Sequence, residues 1–178
     1  AGLPAQVAWN LESDTNTFPP RGDSAGVYDS ARGVTVMFGG GTTDFAAGAT
    51  YDDTWEWDGA AWVERVTANR PAARRDHAIA YDSARNRVVV FGGLSSTATP
   101  LSDTWEYDGN DWTQVFPATS PPARYRHRMA YDEARQCVVL FGGTDPGFGL
   151  LDETWEWDGV NWEMRTPTVS PPARYGQP

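Results

Sequence analysis

The sequence predicts an all-β fold: three four-stranded antiparallel blades of a β-propeller, with partial strands at each end. Three observations predict it. Residues 21–69, 74–119 and 124–169 repeat one pattern: an Arg, then Tyr-Asp-x-Ala-Arg, an apolar run ending Phe-Gly-Gly, a variable loop, Thr-Trp-Glu-aromatic-Asp-Gly, and a lone Trp. The copies keep register, with Trp55, Trp105 and Trp155 spaced by 50 residues, as are Trp62, Trp112 and Trp162. Phe38, Phe91 and Phe141 step by 53 and then 50, because the first copy's loop is three residues longer. A period near 50 with a Gly-Gly pair and spaced aromatics is the mark of four-stranded propeller blades.

The repeats divide the chain. Residues 1–17 read as the outer strand of a preceding or swapped blade, because Trp9 precedes Arg21 by 12 residues as Trp62 precedes Arg74. The repeats follow at 18–70, 71–120 and 121–170, and 171–178 reads as the start of a further one.

Within each repeat the elements follow in order. The first strand is expected at 24–28, 77–81 and 127–131. Asp29, Asp82 and Asp132 then open a tight polar turn, since a short carboxylate bonds nearby backbone amides. The second strand, 34–38, 88–91 and 137–141, is apolar without alternation, as befits a strand buried on both faces. Gly39-Gly40, Gly92-Gly93 and Gly142-Gly143 end it, where positive φ or close backbone approach is needed. The third strand alternates, with Trp105 and Tyr107 on one face and Glu106 on the other. Asp58-Gly59, Asp108-Gly109 and Asp158-Gly159 read as hairpin turns, and a fourth strand starts at Trp62, Trp112 or Trp162. Pro-rich crossings, such as Ser120-Pro-Pro-Ala-Arg124, carry an extended chain to the next blade.

These marks resemble the kelch-repeat family, specifically its bacterial-type repeats with a Trp-Glu-aromatic-Asp-Gly hairpin, over residues 18–178. The resemblance implies a propeller whose first strands line a central channel. It also implies that loops joining second to third strands, and fourth to next-first strands, form the binding face. Some kelch propellers belong to copper radical oxidases, whose site resembles two Tyr and two His with a Tyr–Cys crosslink. That pattern does not carry over, because Cys137 lies in an apolar core strand.

The bulk composition narrows the partners. Net charge is −10, and all 14 basic residues are Arg. Such an acidic chain argues against nucleic acid, which needs clustered cations. The single Cys137 precludes an intramolecular disulfide, and no apolar run approaches the roughly 20 residues of a membrane span. A secreted or cell-surface bacterial setting is the expectation.

Propellers close with four to eight blades, and three alone leave two apolar faces open. Two arrangements answer this: a homodimer joining three plus three blades into a six-bladed ring, or a chain that is part of a longer propeller. Self-association is the expectation.

Arg21, Arg74, Arg124 and Arg174 recur at the start of each repeat, so they read as scaffold: ion pairs or bonds to carbonyls between blades. The non-repeated Arg75, Tyr125, Arg126, Arg128 and Tyr175 near the channel mouth are the ligand or partner candidates. Phe148, in the apolar-tipped loop 144–151, joins them for protein contact. His77 and His127 share one slot in adjacent repeats, which suits a structural hydrogen bond better than a metal pair. Asp52, Asp53, Asp103, Asp152 and Glu153 offer a weak case for Ca²⁺, without any known calcium-loop spacing. No other cofactor or metal is expected. No Ser-His-Asp arrangement or phosphate loop is present, and nothing selects two carboxylates for glycoside chemistry. The expected function is therefore a non-enzymatic module for protein–protein interaction or self-assembly. The alternative is a carbohydrate-binding or enzymatic propeller, for which Tyr125 and Tyr175 must be exposed to meet a glycan.

Overall fold

The computed structural model describes residues 20–42 and 49–176, which hold thirteen strands and no helix. The first blade is β1 (Ala25–Asp29), β2 (Val34–Phe38), β3 (Thr54–Trp57) and β4 (Trp62–Arg65), antiparallel in that order. The second is β6 (Ala78–Asp82), β7 (Arg87–Ser95), β8 (Pro100–Tyr107) and β9 (Trp112–Val115), with a short β5 (Arg74–Arg75) beside β7. The third is β10 (Arg128–Asp132), β11 (Cys137–Phe141), β12 (Thr154–Trp157) and β13 (Trp162–Arg165). The proposed Trp9 strand lies outside the described residues, as do residues 43–48 and 177–178.

Two details depart from expectation. The first strands begin one residue later than predicted, because Asp23, Asp76 and Arg126 sit at φ near +55 to +58° and turn the chain beforehand. The second blade carries an extra pairing. Its hairpin of β7 and β8 continues past Gly92-Gly93, with a register irregularity between Phe91 and Gly93, and β5 pairs on the extension. Among the described residues the other blades make the same contacts as isolated bridges, Gly22 with Gly41 and Gly41 with Thr50 in the first, Tyr125 with Thr144 and Thr144 with Leu150 in the third.

The core lies between blades. Along β7, Val88 and Val90 pack towards the first blade with Val36, Phe38, Tyr107 and Trp112. Val89 and Phe91 pack towards the third with Val138, Leu140, Trp157 and Trp162. Alternate residues thus serve opposite seams, which is why the strand is apolar throughout.

Each seam also carries the same two polar bonds. Trp112 Nε1 donates to Thr54 Oγ1 of the preceding blade at 2.9 Å, and Trp162 Nε1 donates to Thr104 Oγ1 at 3.0 Å. Tyr107 Oη donates to Glu56 Oε1 at 3.1 Å, and Trp157 Nε1 donates to Glu106 Oε1 at 3.1 Å. A buried indole N–H needs an acceptor, so these bonds fix which neighbour a blade accepts.

The polar turns form as the sequence suggests. Asp29 Oδ1 accepts from the amides of Ala31 and Arg32, and Asp82 does the same for Ala84 and Arg85. In the Asp-Gly hairpins, Asp58, Asp108 and Asp158 each accept two backbone amides, at 2.7–2.9 Å.

The glycine pairs are where one blade receives the chain of the next. Gly40, Gly93 and Gly143 donate their amides to the carbonyls of Arg74, Arg124 and Arg174, each at 2.9 Å. A Cβ on Gly92 would stand 2.7 Å from the Arg124 carbonyl, and its φ is +60°. Both facts demand glycine.

Candidate functional site

The repeated arginines hold the blades' upper ends together. Arg21 makes a double bond-pair with Asp53 and donates to the Gly39 carbonyl. Arg74 repeats this with Asp103 and Gly92, whereas Arg124 makes one bond to Glu153 and one to the Gly142 carbonyl. Trp55, Trp105 and Trp155 donate their indole N–H to the same carboxylates. Burial works against the Asp103 charge, but the Arg74 guanidinium outweighs it and holds the pKa below the usual range. Three of the five carboxylates weighed for calcium are thus already committed, and a fourth, Asp52, faces Arg70 at 3.1 Å. Among the described residues, no three His, Cys, Asp or Glu side chains gather closely enough for a metal ion.

The histidines correct an expectation. His77 and His127 are 2% and 0% exposed, yet neither ring makes a well-formed hydrogen bond. The Phe38 backbone lies on the side that favours a proton on His77, but not in bonding geometry. Their role is packing: His77 meets Phe38 edge-on at 5.6 Å between centroids, and His127 meets Phe91 at 5.5 Å. Burial, then the charges of Arg74 and Arg124, push both imidazoles down to about 3.

At the channel mouth, a belt of backbone bonds runs from blade to blade. Asp76 N donates to Asp23 O, Arg126 N to Asp76 O, and Gly176 N to Arg126 O, at 2.8–3.0 Å. The belt frames a cavity of about 410 Å³ lined by Asp23, Asp76, Arg126, Arg128 and Tyr175. Arg126 lies between the rings of Tyr125 and Tyr175, 5.7 and 5.6 Å from their centroids, and its Nε pairs with Asp76 at 3.2 Å. Burial and the neighbouring Asp23 charge raise the Asp76 pKa, against the pull of Arg126.

Four of the six candidate residues meet here: Tyr125, Arg126, Arg128 and Tyr175. Tyr125 is buried and Tyr175 is 47% exposed, so the pair of exposed tyrosines that a glycan platform requires is not formed. Arg75 sits in β5, half-buried near Gly41 of the first blade. Phe148 stands apart, 82% exposed and at φ +67°, on a turn whose amides Gly147 and Gly149 bond Asp145. Asp23 and Asp76 were not singled out by the sequence reading. Their signal was the position two residues after each repeated Arg, which also holds Arg126.

A second site lies on the outward face of the third blade. A cavity of about 920 Å³ there is lined by Cys137, Thr154, Glu156, Trp162, Arg135 and Arg165, among others. Thr154 and Glu156 occupy the places of Thr54 and Glu56, the acceptors of the internal seams. Glu156 is paired with Arg135 and, at 2.7 Å, with Arg165, but no aromatic donor reaches it among the described residues. This face has the polar pattern of a seam without its other half.

Repeated four-stranded sheets, joined face to face around first strands β1, β6 and β10, define a β-propeller assembly. The KLHDC2/KLHL20/DRC7 Kelch-repeats domain family matches residues 24–177, so the chain belongs to the kelch-repeat family. Kelch repeats build propeller modules for protein interaction. No curated protein matches the chain. Among the described residues, no helix is long and apolar enough to cross a membrane.

Proposed function

We propose that this kelch module is a non-enzymatic interaction scaffold that completes its ring by association. The observation that carries this is the outward face of the third blade, where, among the described residues, no aromatic donor meets Thr154 and Glu156 as donors meet their equivalents at both internal seams. Exposed faces of this kind drive association. A homodimer of such three-blade units makes six blades, within the four to eight of closed propellers. The ring so closed presents the channel-mouth residues Arg126, Arg128 and Tyr175, with the Phe148 loop, to a protein partner.

Light scattering after size exclusion, over a range of concentrations, tests the reading. A discrete species at twice the 19.5 kDa chain mass is expected. A well-folded monomer at every concentration refutes it.

A further inference from the structure

We infer that Asp58 is a site of spontaneous isoaspartate formation, and that its counterparts Asp108 and Asp158 are protected by the blade before them. The chain holds three Asp-Gly pairs, and each lies in the turn between the third and fourth strands of its blade. Glycine has no side chain to hinder its amide nitrogen, which can therefore attack the Cγ of the preceding Asp. The N–Cγ bond forms, and one carboxylate oxygen leaves as water, taking the amide proton and one proton from solvent. Water then opens the five-membered imide. Opening at Cγ restores aspartate. Opening at the main-chain carbonyl routes the backbone through the side chain, one methylene longer and at unchanged mass.

The three turns start from the same chemistry. Asp58, Asp108 and Asp158 each accept the amides two and three residues on, and the following Gly sits at φ +97 to +100°. Those amide bonds hold all three carboxyls below the usual carboxylate range. A carboxylate must release both amides before its Cγ meets the Gly nitrogen, so reaction runs through a locally opened turn.

What differs is the cover. Arg32 of the first blade, anchored by Asp29 at 2.7 Å and Glu56 at 2.5 Å, lies over the second turn. A Cβ on Gly109 would stand 3.0 Å from its guanidinium carbon. Arg85, anchored by Asp82 and Glu106 at 2.7 Å each, lies over the third turn, 2.7 Å from a Cβ on Gly159. The crossing that leaves the preceding blade adds a second tie. Asp111 accepts the backbone and side-chain amides of Asn69 at 2.8 and 2.7 Å, and Asn161 accepts the Ala118 amide at 2.8 Å.

The first turn is built without either. Among the described residues, nothing comes within 4 Å of a Cβ on Gly59, which is exposed where Gly109 is buried and Gly159 half-buried. The place of Asp111 and Asn161 is held by Ala61, whose methyl accepts no hydrogen bond. Opening this turn costs two amide bonds; opening the others also displaces an anchored guanidinium and breaks the tie to the crossing. An extra methylene at Asp58 falls beside the pairing of Trp57 with Trp62 and unsettles the register of β3 and β4.

The test incubates the dilute full chain at neutral pH, samples it over weeks and digests it after Arg. The three sites then fall on separate peptides, 33–65, 88–124 and 136–165, and electron-based fragmentation in a mass spectrometer reads isoaspartate in each. Asp58 isomerises roughly tenfold faster than Asp108 or Asp158, because the latter turns lose further hydrogen bonds on opening. In the urea-unfolded chain the three rates converge. Asp111→Ala gives the second turn the residue the first already has, and Arg32→Ala lifts the guanidinium. Each raises the Asp108 rate roughly threefold to tenfold. Asp111 belongs to neither hydrophobic cluster, so its variant keeps the fold. Equal rates in the folded chain, or isoaspartate appearing first at Asp108 or Asp158, overturn the inference. A ranking that survives in urea belongs to local sequence and overturns it too. An Asp108 rate unmoved by Asp111→Ala and by Arg32→Ala overturns the protection assigned to the preceding blade.

Discussion

Acidification to pH 5 should destabilise this protein through His77 and His127 while the ion pairs of Asp53, Asp103 and Glu153 persist. Both imidazoles are fully enclosed in the seams and stay neutral down to about 3, against an ordinary 6.5. Between those values the unfolded chain binds protons that the folded one does not, so stability falls as pH falls. From pH 6.5 to 5 the loss is about 1.5 pH units at about 1.4 kcal/mol each, or about 2 kcal/mol per histidine and about 4 for both. The carboxylates of Asp53, Asp103 and Glu153 lie below their usual range, held there against burial by Arg21, Arg74 and Arg124, so they remain charged in this window. Urea unfolding followed by Trp fluorescence, at half-unit steps from pH 7.5 to 5, measures the slope. The His77→Phe/His127→Phe variant isolates it, because a ring that cannot titrate should flatten the profile whatever its own stability. An unchanged slope in that variant refutes the assignment, and a flat profile in the parent shows that both rings gain protons while folded.

Three further outcomes follow from the seams. Thr104→Val strands the Trp162 indole N–H in the core and should lower unfolding free energy by about 1–3 kcal/mol, read by urea titration. Thr154→Val, its equivalent on the outward face, should leave the unfolding of dilute chains nearly unchanged. Arg74→Ala abandons the Asp103 carboxylate and should destabilise by about 3–5 kcal/mol, whereas Arg174→Ala, which loses only a bond to the Pro172 carbonyl, should not shift the midpoint. Gly92→Ala drives a methyl into the Arg124 carbonyl at positive φ, and a thermal scan should show a drop of several degrees or failure to fold.

The scaffold was legible because the repeat forces each residue type to do one job three times. Trp105 and Glu106 pointing to opposite seams could be read from strand alternation, and Asp108-Gly109 from turn chemistry. The repeated Arg could be read as scaffold because it recurs in every repeat, but its partners Asp53, Asp103 and Glu153, which the sequence offered to calcium, emerge only in the fold. What escaped was long-range. His77 looks like a hydrogen-bonding residue in any window, and only the neighbouring blade reveals that Phe38 surrounds it. Tyr125 looks like a surface aromatic, and only the Thr144 bridge shows why it is buried. The charge at the channel mouth depends on Asp23, Asp76 and Arg126 being stacked from different blades, a proximity that no local pattern encodes.

The glycine pairs bear on how the chain is made. Gly40 waits for Arg74, Gly93 for Arg124 and Gly143 for Arg174. In each case the awaited residue lies nine positions beyond the last residue of the blade's outer strand, Arg65, Val115 or Arg165. On a ribosome adding residues one at a time, no blade can be sealed when its own four strands have emerged. Each stays unlatched until the first residues of its successor appear. Domains form from the N-terminal end during synthesis, so translation here would advance with one unfinished blade always at the exit, and a stall within the Pro-rich crossings would hold it open.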